Sequence, residues 1–200
     1  MGHLHYIEQE TTGFLKDRGS KFHAFAYPVK DLADIEKRVQ ALKKEFHDAR
    51  HHCYAYRLGM RGETTYATDD GEPSHSAGTP ILAAIRSFEV TDALVVVVRY
   101  FGGTKLGVRG LIEAYRTSAE LALEENPRTA IIPKVIFSIQ YPYEKTSDIN
   151  RILHRHDTEV VEAAYTEMCK QTLSIKVEEF PPLKQAFEQS GYHLEVLEEQ

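Results

Sequence analysis

The sequence predicts an α+β protein of two domains, and three observations carry this. Strand-like and helix-like stretches succeed one another from residue 21 to residue 125. A stretch with two prolines, "NPRTAIIPK" (126–134), falls at a shift in charge. Beyond it the pattern reads β, α, β, β, α, β, the order of a ferredoxin-like sandwich. The first domain is therefore placed at 1–130 and the second at 134–200, with a linker between them.

The elements follow in order. "KFHAFAYPV" (21–29) alternates apolar and polar residues and reads as a strand. In "DLADIEKRVQALKKEFH" (31–47), Leu32, Ile35, Val39, Leu42 and Phe46 recur at helical spacing behind Asp31, a fitting N-cap. "HHCYAYRL" (51–58) is a strand with His51, Cys53, Ala55 and Arg57 on one face and His52, Tyr54, Tyr56 and Leu58 on the other. Thr79 and Pro80 then fit the N-cap and N1 positions of a short helix through Arg86. "ALVVVVRYF" (93–101) is β-branched and unbroken, so it reads as a central strand buried on both faces. After "GGTKLGVRG" a helix is expected over 111–125, with Leu111, Tyr115, Ser118 and Ala122 on one stripe. The second domain is expected to run β 135–141, α 145–156, β 159–165, β 171–177, α 182–190 and β 192–197. In its last helix Leu183 and Phe187 favour core packing over a proline-rich recognition motif.

Composition narrows the function classes. The 200 residues are 42% hydrophobic and 27% charged, which suits a soluble globular chain. The opening "MGH" reads as an expression scar and is set aside. No apolar run reaches the length of a membrane span, and no secretory signal is read ahead of the fold. Cys53 and Cys169 fall in different predicted domains, so no disulfide is expected and a reducing cytoplasm fits. Residues 1–132 hold 17 basic and 18 acidic side chains, hence −1; residues 133–200 hold 7 and 12, hence −5. Neither part is a broadly basic module, so nucleic-acid binding would need a local patch. Lys16, Arg18, Lys21, Lys43 and Lys44 could supply one, with Lys105, Arg109 and Arg116.

Two loops concentrate the chemistry. "ATDDGEPSHSAGTP" (67–80) sets Asp69, Asp70 and Glu72 among glycines, prolines and hydroxyls ahead of a helix. "GGTKLGVRG" (102–110) joins a strand to a helix, where backbone N–H groups and glycines suit an anion and Lys105 and Arg109 add charge. Its glycines match neither the Walker A nor the dinucleotide spacing, and they serve a tight strand–helix turn equally well. His51 and Cys53 share a strand face, and Asp69, Asp70, Glu72 and His75 could complete a metal set only if the loop meets that strand. No C-x-x-C or H-x-x-x-H pair supports it. A nucleophile reading would pair Ser74 or Ser76 with His75, or Cys53 with His51 or His52, yet no nucleophile elbow is present. Paired-carboxylate catalysis at Asp69, Asp70 and Glu72 competes with ordinary Asp-Gly and Glu-Pro turn chemistry.

Taken together, "DDGEPSHSAGTPIL" (69–82) and "ALVVVVRYFGGTKLGVRGLIEAYRTSAE" (93–120) resemble the IMPACT/YigZ family. "SKF" (20–22) and "RHHCYAYRLG" (50–59) fall where that family carries similar segments, and the resemblance spans nearly the whole chain in its bacterial two-domain form. It implies a first domain with the fold of ribosomal protein S5 domain 2, shared with elongation factor G domain IV and GHMP kinases. It implies a second domain like elongation factor G domain V. Eukaryotic relatives act in translational control: they dampen a stress-responsive kinase of an initiation factor by competing for its activator. They use a further N-terminal domain that this chain is expected to lack, so that partner does not carry over. The dipeptidase assignment attached to some bacterial relatives finds no support in these residues. One departure is His75-Ser76, where a smaller Gly/Ser/Thr pair is expected.

The resulting expectation is a translation-associated binding protein whose partner is RNA, the ribosome, a translation factor or a regulatory protein. Its binding surface takes Asp69, Asp70, Gly71, Glu72 and Gly78 from the first loop. From the second stretch it takes Arg99, Phe101, Gly102, Gly103, Lys105, Gly107, Arg109 and Gly110. Arg50, His51, His52, Cys53 and Lys21 form a supporting set. The two loops are expected to make one surface, with Lys105 and Arg109 facing the acids and the acids fixing the loop. No metal, cofactor or membrane is expected and no catalytic residue is assigned. The alternative is a small-ligand or phosphate-binding enzyme, hydrolase or phosphotransferase, with its site between 69–79 and 102–110.

Overall fold

The computed structural model describes residues 4–199, so the opening "MGH" lies outside the described residues. The chain divides into two compact units, one up to Ile131 and one from Ile132. The first contains β1 (His5–Ile7), β2 (Thr11–Asp17), β3 (Ser20–Pro28), α1 (Leu32–Glu45), β4 (His51–Leu58) and β5 (Thr64–Thr68). It continues with α2 (Gly78–Ser87), β6 (Val90–Thr91), β7 (Ala93–Tyr100), α3 (Gly107–Glu124) and β8 (Arg128–Ala130). The second contains β9 (Lys134–Pro142), α4 (Thr146–Leu153), β10 (Glu159–Ala164), β11 (Met168–Lys176), α5 (Phe180–Gln189) and β12 (Leu194–Glu199). No described helix is long and apolar enough to cross a membrane.

In the first unit, five antiparallel strands lie in the order β2-β3-β7-β4-β5. β7 sits at the centre and is buried on both faces, as its unbroken apolar run requires. Val95 and Val97 pack with Ala24, Ala26, Cys53 and Ala55 beneath α2 and α3. These side chains are small, so two helices can lie close to one face. Leu94, Val96 and Val98 meet Ile35, Val39 and Leu42 of α1 on the other. Two-faced burial here comes from helices covering an antiparallel sheet, and not from a parallel one.

Several expectations are corrected. β2 and β5 are strands that the sequence pattern does not announce. The turn between β2 and β3 holds Arg18 and Gly19, both left-handed, which is the geometry of a tight two-residue hairpin. Leu32, counted in the helical stripe, is 58% exposed. α3 begins at Gly107, four residues before the expected start. Part of the expected linker is sheet: β8 pairs antiparallel with β1, which pairs parallel with β6.

The second unit shows the βαββαβ order, with its antiparallel sheet arranged β10-β11-β9-β12. Val135, Phe137, Ile139 and Tyr141 project from β9 into a core completed by Ile149 and Leu153 of α4 and by Leu183 and Phe187 of α5. α5 carries proline in its first turn, where a missing N–H costs nothing.

Candidate functional site

The loop between β5 and α2 is built around Asp69. Its Oδ2 accepts the N–H of His75 at 2.8 Å, and its Oδ1 accepts those of Ala77 at 2.9 Å and Gly78 at 2.8 Å. The last two are unpaired donors of a helix start, satisfied from eight and nine residues away in sequence. Partial burial pushes the Asp69 carboxyl up, but the N–H groups of Gly78, His75 and Ala77 outweigh it and hold the group below the usual carboxylate range. The expected Thr79 N-cap is therefore corrected. α2 begins at Gly78, Asp69 serves its free amides, and Thr79 Oγ1 lies 3.2 Å from His75 Nδ1 instead.

Asp70 ties the loop to the neighbouring strand. Its Oδ2 accepts the His52 N–H at 2.7 Å, and Lys43 Nζ lies 3.8 Å from its Oδ1. Its backbone oxygen meets His51 Nδ1 at 2.9 Å. Cys53 Sγ donates to the Asp69 carbonyl at 2.9 Å and lies 3.3 Å from Tyr115 Oη. Burial pushes the Cys53 thiol well above its ordinary range, so it supplies no thiolate. Burial also pushes up the Tyr115 hydroxyl. The His52 imidazole is pushed down by burial, against the pull of Asp70.

Glu72 is the hub between the two loops. Its Oε1 accepts from Arg99 Nη1 at 2.5 Å and from Tyr115 Oη at 2.8 Å, with His51 Nε2 at 4.0 Å. The two side chains are 6% and 4% exposed for Arg99 and Glu72, so this is a buried ion pair. Arg99 Nη2 also donates to Ser20 Oγ at 3.4 Å, and the Gly102 N–H donates to the same oxygen at 3.2 Å. Ser20 and Tyr115 join the site without being marked for it by the sequence. Ser20 stood in the quoted "SKF", and Tyr115 stood on the apolar stripe of its helix, where nothing marked its hydroxyl.

The second loop is glycine-rich for two reasons. At Gly102 a Cβ would lie 1.8 Å from the Gly19 carbonyl carbon and 2.1 Å from Ser20 N, so the loop and the β2–β3 turn touch backbone to backbone. At Gly107 a positive φ of 72° favours glycine, with open space around it. Gly103 is exposed in the loop, and Gly110 lies in the first turn of α3. Phe101, Lys105 and Arg109 are exposed.

The two loops are joined through Glu72, Arg99 and Tyr115. Lys105 and Arg109 are not part of that join, which corrects the expected pairing: neither makes an ion pair with the acids among the described residues. Arg99, at the end of β7, reaches Glu72 first. Arg50 is exposed and lines a cavity of about 360 Å³ with Asp48, His51, Arg99, Tyr100 and Phe101. Lys21 lines another, of about 260 Å³, with Gly19, His23, Tyr100 and Phe101. Gly71 carries φ +87° in the turn after Asp70. His75 is exposed at φ +63°, a conformation that favours glycine, which accounts for the smaller residue expected there. Ser76 is buried and donates to the Pro73 carbonyl at 2.6 Å, so it is no nucleophile. Among the described residues no three His, Cys, Asp or Glu side chains gather as a metal site needs.

Fold and loops thus define a class: a two-unit α+β protein with an internally locked acidic loop beside an exposed, glycine-rich one. The Impact N-terminal domain family matches residues 18–123. The IMPACT family member YigZ of Escherichia coli (strain K12) is 31% identical over 166 residues, covering 80% of this chain and 81% of that protein. The chain belongs to the IMPACT family. A solved structure described as a hypothetical protein, 24% identical, covers 100% of both chains at a TM-score of 0.64, which shows the shared fold. A chain described as the two-domain translational regulator Yih1 is 28% identical and covers 61% of this chain and 47% of its own length. Its TM-score of 0.37 supports no structural comparison.

Proposed function

We propose that this protein is a non-enzymatic, translation-associated regulator that binds its partner through the stretch 101–109, the loop after β7 and the first turn of α3. One observation carries the reading. Asp69, Asp70 and Glu72 are each engaged within the protein, while Phe101, Lys105 and Arg109 stand exposed beside them. Acids held this way shape a surface and are poorly placed to move protons on a substrate. The translational setting rests on family membership and on the role of the eukaryotic branch. The S5 domain 2-like character of the first unit and the elongation factor G domain V-like character of the second belong to the same proposal. The enzyme alternative lacks a competent nucleophile at Cys53 or Ser76.

Pelleting of ribosomes through a sucrose cushion at low ionic strength tests the reading. The wild-type protein is expected in the pellet, and the Lys105→Glu/Arg109→Glu variant in the supernatant. Wild-type protein that stays in the supernatant at low salt would overturn ribosome contact.

A further inference from the structure

The sheet face toward α1 carries a feature that the loops do not explain. Cross-strand register places Lys16 opposite Lys21 and Lys21 opposite Tyr100; the next row holds Phe14 opposite His23. Residues directly opposite share a face, so two rows of rings and cations lie side by side. Phe14 is 52% exposed, with its ring centroid 4.9 Å from that of His23. The His23 ring meets Tyr100 edge-on at 6.0 Å. Burial, then the Lys21 charge, push the His23 imidazole down, so the ring is held in its neutral, stacking form. At the rim Phe101 is 56% exposed, and the Arg99 guanidinium carbon lies 5.7 Å from its centroid.

Tyr100 and Phe101 line both cavities described above, so they form a ridge between a pocket with Lys21 and one with Arg50. Two acids stand nearby, and of the two only Glu72 is paired with a cation among the described residues. Asp48 accepts the Tyr100 hydroxyl at 2.7 Å, and Glu72 holds Arg99. The hydrogen bond to Asp48 pushes the Tyr100 hydroxyl up to about 12. What remains on the surface is Lys16, Lys21 and Arg50 interleaved with ring faces, with the Asp48 carboxylate beside Arg50, on a chain whose net charge is −6.

We propose that single-stranded RNA binds across this ridge, stacking bases on Phe14, Tyr100 and Phe101 and setting phosphates against Lys16, Lys21 and Arg50. The exposed Phe14 and Phe101 rings and the half-buried Tyr100 ring offer unpaired bases a face, whereas a duplex hides its base faces and needs a broader positive field than this chain has. The inference extends the proposed surface from Phe101 onto the neighbouring strands and names the partner's chemistry, and it rests on that reading for the choice of RNA.

Fluorescence anisotropy tests it with the whole chain and labelled single-stranded RNA of roughly twelve nucleotides, with a duplex RNA of equal length alongside. The single strand is expected to bind more tightly. Three phosphate contacts give a log–log salt slope of about −2, which Lys21→Ala should flatten by about 0.7. Phe101→Ala is expected to weaken binding roughly tenfold, since stacking on one ring is worth about that factor or more. Both side chains are exposed, so both variants should melt like the wild type. Lys170→Ala, in the second unit, should bind as the wild type does. No binding at about 25 mM salt, a duplex bound at least as tightly, or both ridge variants binding unchanged would overturn the proposal. Ribosome pelleting that needs Phe101, without oligonucleotide binding, would make the ridge a protein dock and overturn the RNA assignment while the proposed function stands. Oligonucleotide binding without ribosome association would do the reverse.

Discussion

Asp69 accepts three backbone N–H groups that would otherwise be left unpaired in a partly buried turn. Asp69→Ala removes both acceptor oxygens and so all three bonds, and at neutral pH it is expected to lower unfolding free energy by about 1–3 kcal/mol in urea titrations. The sign with pH is fixed. Because the folded protein holds this carboxyl below its ordinary value of 3.8, its contribution is complete above that pH and is lost as pH falls through the lower, folded value. The gap between wild type and variant should therefore close in acid; a gap that widens there would show that the carboxylate is not the acceptor. Glu72 poses a different problem. Its removal leaves Arg99, 6% exposed, without a counter-ion. Glu72→Ala is expected to cost about 3–5 kcal/mol, and Glu72→Leu/Arg99→Met to recover much of it. Equal losses in single and double variants would mean that the stranded charge is not the cause.

The elements most legible in the sequence are those whose pattern is carried by their own residues. α1 has its Asp31 cap, which accepts the Asp34 N–H at 2.9 Å, and its 3,4 spacing. β7 has its valines. β2 is hard to read because "TTGFLKD" sets Phe14 and Leu15 side by side after a glycine, with no stretch of alternation, and its residues are exposed or only partly buried. β5 is a short edge strand with two threonines at its start and no apolar face of its own. The start of α2 was misplaced because its cap comes from Asp69, outside the window in which a capping motif is sought. Glycines separate by mechanism at this scale. Gly102→Ala drives a methyl into the backbone of Gly19 and Ser20, neither of which can rotate away, and should cost more than about 2 kcal/mol. Gly103→Ala meets nothing within 4 Å and pays only for its φ of +88°, about 1 kcal/mol. Thermal melts of the two variants check the order; equal shifts would remove close approach as the reason for Gly102.

At the scale of the whole molecule, charge sets the terms of any polyanion contact. A net charge of −6 excludes a global attractive field, so binding must come from a patch and must fade quickly with salt. The sequence by itself determined the α+β class, the central buried strand, the βαββαβ order and the family. Each is written in local periodicity or in contiguous motifs. It also named the two loops, because glycines, prolines and acids cluster there. Only the tertiary structure decided which acid meets which base. Arg99, not Lys105 or Arg109, pairs with Glu72; Tyr115 and Ser20 complete the join; and the rings of Phe14, His23 and Tyr100 on β2, β3 and β7 line up across strands. These partners are from 27 to 82 residues apart in sequence along the hydrogen bonds of the join. Register and helix packing bring them together, and no local spacing records either.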